Sequence, residues 1–431
     1  MRIAIIGGGI TGLAAAYELT KRGHAVTVFE QEKTVGGLAV GYKKPNWDWS
    51  LEKFYHHLFA NDQETFSLLD ELGLSHKLII KRPVTANLVS TIQNEFTAIP
   101  FDSPLHLLTF PGLSLADKLR TGALAAFCKV YPFWQTLEGI TAKKFFTAVG
   151  GKRAWRIIWE PLMTGKFGHF DNSIAASWLW ARIHKRTPRL CYIDGGFQTL
   201  TNALAKIISK QGGTINVQYP ISSIQLKKNS NYWKFEIGNL KFDKVLITVP
   251  ASVAHNLLPI IHKSPTIDHL SIPHLHAQML ILETKEPILR NVYWLNITDR
   301  TFPFLAVVAH TNFIDKKYYG NRHITYIGNY LPDGHPYLSL SKQKLFGLFL
   351  PFIMRINHSF HWLDSSDWSD LFIGYNAQPV HQLHYSRRAP KFETGIPNVF
   401  LANMDSIFPW DRGTNYAIDL GQKAAITIAG E

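Results

Sequence analysis

Three glycines, Gly7, Gly9 and Gly12, stand in the spacing GxGxxG near the start of the chain, and Glu30 follows the last of them by 18 residues. Together these residues have the chemistry to bind a dinucleotide. The first glycine permits a tight turn, the second lets the backbone approach a pyrophosphate, and the third lets a helix pack close to its strand, while phosphate charge meets the helix N-terminal N–H groups. A carboxylate at Glu30 can accept hydrogen bonds from both hydroxyls of a ribose and repels a 2′-phosphate, which disfavours NADP and leaves NAD and FAD open. The surrounding residues supply the elements this chemistry needs. Arg2 to Ile6 is a short apolar run of strand type, the Ala-rich amphipathic segment after Gly9 predicts a helix that Gly23 closes behind Lys21 and Arg22, and Ala25 to Phe29 predicts a second parallel strand.

After five intervening residues Glu30 is followed by the pair Gly36-Gly37. This E-x5-GG pattern resembles the FAD fingerprint of the flavin amine oxidase superfamily, which includes protoporphyrinogen oxidases and carotenoid desaturases; a second glycine pair allows close backbone approach to the diphosphate and ribityl chain. The C-terminal stretch NVFLANMDSIFPWDRGTNYAIDLGQKAA, residues 398 to 425, is similar to the superfamily's closing FAD motif, with Ala402, Asp405, Gly421 and Ala424-Ala425 in register and Asn403 in place of a usual glycine. The resemblance implies bound FAD contacted by Gly7, Gly9, Ile10, Thr11, Gly12, Glu30, Gln31, Gly36, Gly37 and Leu38, by Ile221 at the adenine, by Asp405 near the ribityl-phosphate chain, and by Gly413, Thr414 and Asn415. A helix starting near Thr414 would aim its N–H groups at the flavin N1 and O2 end. Attachment is expected to be non-covalent, since neither cysteine lies near Gly413.

Candidates for catalysis are fewer. The segment WDWSLEKFYHHLFAND, residues 47 to 62, resembles the one that follows the fingerprint in protoporphyrinogen oxidases and, more loosely, the histidine-bearing loop of UDP-galactopyranose mutase, which makes His56 and His57 candidates. Histidines satisfied by core hydrogen bonds are the competing reading. Trp410 and Arg412 precede the C-terminal helix, where flavin and substrate should meet; a salt bridge from Arg412 to Asp411 or Asp405 is the bland alternative. Pairs such as His274/His276, His358/His361 and His381/His384 lack the adjacent acid of HExxH and a nearby cysteine, so no metal is expected.

At 431 residues, 46% hydrophobic and 13% aromatic, the chain can bury two or more cores. Gly7 to Gly9 interrupts the N-terminal apolar run and no cleavage site follows, so a cytoplasmic location is expected. With only Cys128 and Cys191 there is neither a disulfide framework nor a CxxC redox pair. The net charge of +13 gathers at Lys143 to Arg156 and at Arg182 to Arg189. A solvated basic face, anionic lipid headgroups at the inner membrane face and an anionic substrate compete to explain it. Nucleic acid does not, because no nucleic-acid-binding motif accompanies the charge.

The expected architecture is α/β: a Rossmann-like FAD-binding domain assembled from residues 1–62, 190–250 and 389–431, and an α+β substrate domain with a mixed sheet from 63–189 and 251–388, of which 104–189 is mainly helical. Residues 63 to 73 predict a helix, 78 to 101 a strand pair, 214 to 219 a parallel strand, 222 to 237 a hairpin, 244 to 250 a buried strand, and 278–283, 305–309 and 323–329 strands of the second sheet, with a helix near 341 to 357. No run of about 18 uncharged apolar residues exists to span a bilayer.

The implied activity is hydride removal from a small-molecule or lipid-like substrate to flavin. Oxygen, a quinone or another carrier would reoxidise it, because no second GxGxxG offers a pyridine-nucleotide site. The N5-proximal lysine of many amine oxidases would fall near Gln278, yet no lysine lies between Lys263 and Lys285, and the aromatic-cage position falls at Gly413. An anionic or polyprenyl-like substrate therefore suits the chain better than a small amine, with Arg182, Arg186 and Arg412 as anion partners. The rival readings are a redox-neutral flavin isomerase of the UDP-galactopyranose mutase type and a flavin-binding partner without turnover.

Overall fold

A computed structural model describes residues 1–90, 95–229, 232–257, 272–360, 362 and 368–430. The chain opens with strand β1 (Arg2–Ile6), which runs through the glycine turn into α1 (Ile10–Lys21) and returns as β2 (Ala25–Phe29), parallel to β1 with Arg2 opposite Ala25. Ile3, Ala4 and Ile5 are completely buried, as the apolar run requires of an internal parallel strand. At Gly12 a Cβ atom would stand 2.1 Å from the Gly7 carbonyl oxygen, so only glycine lets α1 begin so close behind its strand.

Helix α2 (Gln63–Glu71) leads away from this unit to an antiparallel pair, β3 (Thr85–Ser90) and β4 (Phe96–Pro100). A helical stretch follows: α3 (Pro104–Thr109), α4 (Leu115–Val130), α5 (Ala142–Gly150), α6 (Glu160–Phe167) and α7 (Ala176–Lys185). The chain then returns through α8 (Gln198–Lys210), β5 (Thr214–Asn216), β6 (Lys244–Ile247) and α9 (Ala251–Leu257). Next come β7 (His274–Thr284), β8 (Trp294–Ile297), β9 (Ala306–Ala309), β10 (His323–Leu331), α10 (Lys342–Ile356) and β11 (Trp368–Pro379). Strand β12 (Val399–Leu401) and α11 (Thr414–Ala429) come last.

These strands form the expected α/β arrangement. A five-stranded sheet in the order β5-β2-β1-β6-β12 is parallel throughout and takes its strands from residues 2–29, 214–247 and 399–401. A seven-stranded mixed sheet in the order β11-β7-β10-β9-β8-β3-β4 has one parallel pairing, β8 with β3. Helix α11 crosses α1 so closely that a Cβ at Gly421 would meet the Thr11 carbonyl oxygen at 2.4 Å.

Three expectations need correction. Residues 78 to 101 hold three strands, because Leu78–Lys81 leaves the β3/β4 pair and joins Leu190–Ile193 in a separate small sheet. The strand expected to reach Tyr219 stops at Asn216, since Gln218 turns with φ +54° and its N–H donates to Glu32 O. Strands β8 and β11 were not foreseen. The hairpin at 222–237 has the expected strands, Gln225–Asn229 and Tyr232–Ile237, with its turn at 230–231 outside the described residues.

One buried carboxyl joins three parts of the chain. Glu52, 1% exposed, accepts from Tyr192 Oη at 2.7 Å and from Phe197 N at 2.7 Å, while Tyr326 Oη donates to its carbonyl at 2.7 Å. Burial raises its pKa from 4.5 to about 7 against the pull of those two donors. A carboxyl with a higher pKa folded than unfolded holds its proton more tightly in the folded protein, so its contribution is complete below about 4.5 and is lost as pH rises through about 7. The loss should be on the order of 3 kcal/mol. Glu52→Gln should flatten that part of the stability profile between about pH 4.5 and 7; identical slopes in urea melts of both proteins would remove Glu52 from the account.

Candidate active site

The nucleotide cradle lies where β1, α1 and β2 meet. Gly9 caps α1 without any side-chain hydrogen bond, leaving the first-turn N–H groups for a ligand, and a Cβ at Gly9 would find nothing nearer than Gly37 Cα at 3.8 Å. Gly36 N donates to Gly8 O at 2.8 Å and fastens the second glycine pair beside the first. The Glu30 carboxylate receives Gly8 N at 2.8 Å and Glu32 N at 2.9 Å, one on each oxygen, and each oxygen keeps a lone pair for a ribose hydroxyl. Gln31 beside it is exposed, and Tyr219 N bonds Glu30 O, which brings Ile221 to this end of the cradle. The residues present therefore fit an adenine dinucleotide. Glu30→Ala should weaken cofactor binding by roughly 1–3 kcal/mol, the range for losing a charged partner, with flavin retention on dialysis as the readout.

At the far end the C-terminal residues divide their roles. Gly413 caps α11 without a side-chain bond and is exposed, so this helix also offers bare N–H groups. Asn415 spends its side chain elsewhere: its Oδ1 accepts from Thr65 N at 3.0 Å and its Nδ2 donates to Glu64, so only its backbone faces the helix mouth. Asp405 has no exposed surface; its oxygens take Ala251 N at 3.0 Å and His274 Nε2 at 2.5 Å. It braces the turn from beneath, with both side-chain oxygens taken by these donors. Asn403 ties that turn to the end of β6 by donating to Val249 O at 2.9 Å and accepting from Asp405 N at 3.0 Å, work no glycine could do. His276 bonds Asp333, His361 lies outside the described residues, and among the described residues no three potential ligands gather to hold a metal.

Leu38, Phe54, Met279 and Tyr330 pack together around Ala277 and Ala377, next to the catalytic candidates. Gln278 points away from them and donates to Tyr337 O at 2.7 Å; the residues of β7 that face Leu38 and Phe54 are Ala277 and Met279. His56 Nδ1 donates to Phe54 O at 2.5 Å, and the His57 ring is bonded to Tyr55 Oη, itself an acceptor for Tyr293 Oη at 2.6 Å. Burial drives both pKa values down, to about 4 and about 3, with Arg412 adding to the effect at His56 and Arg186 and Arg182 at His57. Both imidazoles are thus neutral at physiological pH. Trp410 lies nearly parallel to Tyr416 and stacks on Trp180.

Sequence reasoning missed the polar network below Trp410. Asp411 accepts from Lys166 Nζ at 3.0 Å, Trp178 Nε1 at 3.3 Å, Gln378 Nε2 at 3.2 Å and the Arg182 guanidinium. Arg412 does not pair with Asp411 or Asp405, as its bland reading supposed. Its Nε donates to Gln378 Oε1 at 3.1 Å and its second nitrogen to Tyr330 Oη. Burial and the neighbouring Arg182 hold Arg412 down at about 10, and burial lowers Lys166 to about 7 even though Asp411 pulls the other way. No local pattern marks Lys166, because its partner lies 245 residues away.

Residues 10–429 match the family model for flavin containing amine oxidoreductases. The chain belongs to the flavin-containing amine oxidoreductase family. Membership implies a flavin cofactor. Protoporphyrinogen oxidase 2 of Arabidopsis thaliana is 33% identical over 119 residues, 28% of this chain and 23% of that protein. Alignments with curated relatives, protoporphyrinogen oxidases and carotenoid desaturases among them, span 23 to 60% of those proteins' own length. Two solved structures share the fold: an oxidoreductase from Methanosarcina mazei, at TM-score 0.74 and 16% identity over 99% of this chain and 100% of that one, and reduced UDP-galactopyranose mutase, at 0.73 and 15% over 100% and 95%.

Proposed function

We propose that the protein is an FAD-dependent oxidoreductase that takes hydride from an organic substrate other than a small amine, as protoporphyrinogen oxidases and desaturases do, and passes the electrons to oxygen, a quinone or a carrier. The observation that carries the amine exclusion is the cationic network: an ammonium substrate entering beside Lys166, Arg182 and Arg412 meets like charge in a poorly hydrated site. Bound FAD, held without a covalent bond, supplies the hydride acceptor. The chain's own residues hold its diphosphate at the N-terminus of α1, take its ribose at Glu30, and present α11 N–H groups and Arg412 where negative charge develops.

The test is anaerobic. Purified protein should be yellow, release FAD on acid precipitation, and bleach when a fractionated pool of cell lipids and metabolites contains the substrate. Flavin that stays on the precipitated polypeptide would refute non-covalent binding. A UDP-galactopyranose mutase-like isomerase is the runner-up, favoured by the neutral His57 beside Tyr55; it would need reduced flavin yet consume no acceptor. Flavin that no fraction bleaches would leave a binding partner without turnover.

Peripheral contact with anionic lipid belongs to the same proposal. Among the described residues no helix is long and apolar enough to cross a membrane. Leu105 and Leu108 on α3 and Leu115 and Leu119 on α4 are all at least half exposed, and Lys118, Lys152 and Arg153 lie close by, whereas Arg182 of the second basic run turns inward to Asp411. Pelleting with anionic vesicles should fall as salt rises through the range where the Debye length shrinks from about 10 to 3 Å. Equal pelleting with neutral vesicles would count against the electrostatic part.

A further inference from the structure

Three cations gather at one carboxylate. Asp411 accepts from Lys166 Nζ at 3.0 Å and from the Arg182 guanidinium, and Gln378 joins it to Arg412: Gln378 Nε2 donates to Asp411 Oδ1 at 3.2 Å while Gln378 Oε1 accepts from Arg412 Nε at 3.1 Å. Among the described residues no other carboxylate bonds any of the three, so the cluster holds an excess of positive charge. Water compensates Arg182, whose side chain is 39% exposed, but reaches only 11% of that of Lys166.

Tyr330 closes the ring of contacts. Its Oη accepts from Arg412, and its ring centroid lies 5.2 Å from Lys166 Nζ and 5.2 Å from Arg412 Cζ, so one tyrosine brings the two cations to the same place. Lys166 spends one proton on Asp411, and Arg412 spends two donors on Gln378 and Tyr330; their other N–H groups, and the proton of the Tyr330 hydroxyl, meet no protein acceptor among the described residues. Unspent donors and charge in so enclosed a place are unfavourable unless a ligand supplies the acceptor. Tyr330 also belongs to an apolar surface, packing with Leu38, Met279 and Phe372 on Phe54, Ala277 and Ala377. Leu38, Met279, Tyr330 and Arg412 are only partly buried and Gly413 is exposed, so solvent reaches the junction of the cationic and apolar groups at the α11 mouth.

We propose that the substrate is amphipathic, with an oxyanion, a carboxylate or a phosphate, held between Lys166 and Arg412 and an apolar body laid along Tyr330, Leu38 and Met279. A guanidinium and an ammonium both give such a head charge-assisted hydrogen bonds, and the Tyr330 hydroxyl adds a neutral one. The inference rests on the flavin reading for what the site does and narrows it to a substrate class. The probes are octanoate and octyl phosphate, titrated into the FAD-loaded protein below their micellar concentrations at fixed ionic strength, with octanol as the neutral control and with the visible flavin spectrum and the melting temperature followed together. At least one anion should give a saturable change in both that octanol does not give, and Arg412→Gln should bind it at least about ten-fold more weakly at unchanged flavin content, as expected for losing a charge-assisted hydrogen bond. The tighter anion assigns the head group, octanoate a carboxylate and octyl phosphate a phosphate ester. If neither anion acts, if octanol acts as strongly, or if Arg412→Gln binds the anion as well as wild type does, the proposal is overturned; the octanol comparison is made on wild-type protein and does not depend on how the variant folds. The melting readout needs no flavin, so a colourless protein that still shows Arg412-dependent stabilisation by the anion keeps the anion site and loses the flavin reading.

Discussion

Asp411→Ala should destabilise the folded protein by about 3–5 kcal/mol, the range for leaving a buried ion-pair partner without its counter-charge. The Asp411 side chain is 16% exposed and that of Lys166 11%, so neither end of that pair is rescued by water. Arg182 is 39% exposed and its share is screened, which makes Lys166 the larger contributor. Lys166, already lowered to about 7 by burial, should then lose its proton at physiological pH. A double-mutant cycle identifies the cause. If charge pairing is responsible, Asp411→Ala with Lys166→Met should be more stable than Asp411→Ala alone, because the unpaired lysine that must give up its proton to stay buried is gone as well. Equal urea midpoints for the single and double variants would mean that the loss comes from Trp178 and Gln378 packing.

Arg412→Ala should cost on the order of 100-fold in turnover with little loss of stability or FAD, because the guanidinium sits beside the α11 mouth with only neutral partners and its charge is free to meet charge that develops in the reaction. Arg412→Lys separates charge from geometry. A lysine keeps the charge but cannot bond Gln378 and Tyr330 at once, so a fork that grips the substrate predicts a raised KM with FAD still bound. Flavin reduction by Arg412→Ala at the wild-type rate, with the wild-type substrate dependence, would make the residue structural and misplace the substrate.

The cradle was legible because its determinants are local. Gly7, Gly9, Gly12 and Glu30 lie on one strand-turn-helix-strand unit, and each spacing has a steric or hydrogen-bonding reason that does not depend on distant residues. The C-terminal helix and its turn were legible for the same reason, apart from the roles of Asp405 and Asn415, whose buried partners Ala251, His274 and Thr65 no spacing announces. The other end of the site was not legible. Lys166 on α6, Tyr330 on β10 and Gln378 on β11 meet Arg182 on α7 only after the seven-stranded sheet has formed, and in sequence those three, unlike Arg182, pass for solvated side chains. Strand β11, WSDLFIGYNAQP, also escaped because its burial does not alternate: it runs from a partly exposed start to a fully buried end.

The order β5-β2-β1-β6-β12 also sets a timetable on the ribosome. Strands β1 and β2 emerge within the first 29 residues, but β6, which covers the other side of β1, lies 241 positions later, since Ile3 pairs with Lys244. At a synthesis rate of about 5–20 residues per second the bare apolar edge of β1 waits roughly 12 to 50 s for its neighbour. The edge of β6 then waits about 8 to 31 s more for Val399, the partner of Val245 154 positions earlier. Until then the nascent chain carries an unpaired strand of the kind that templates association between chains, and a chaperone that shields short apolar strands should raise its yield most when translation is slowest.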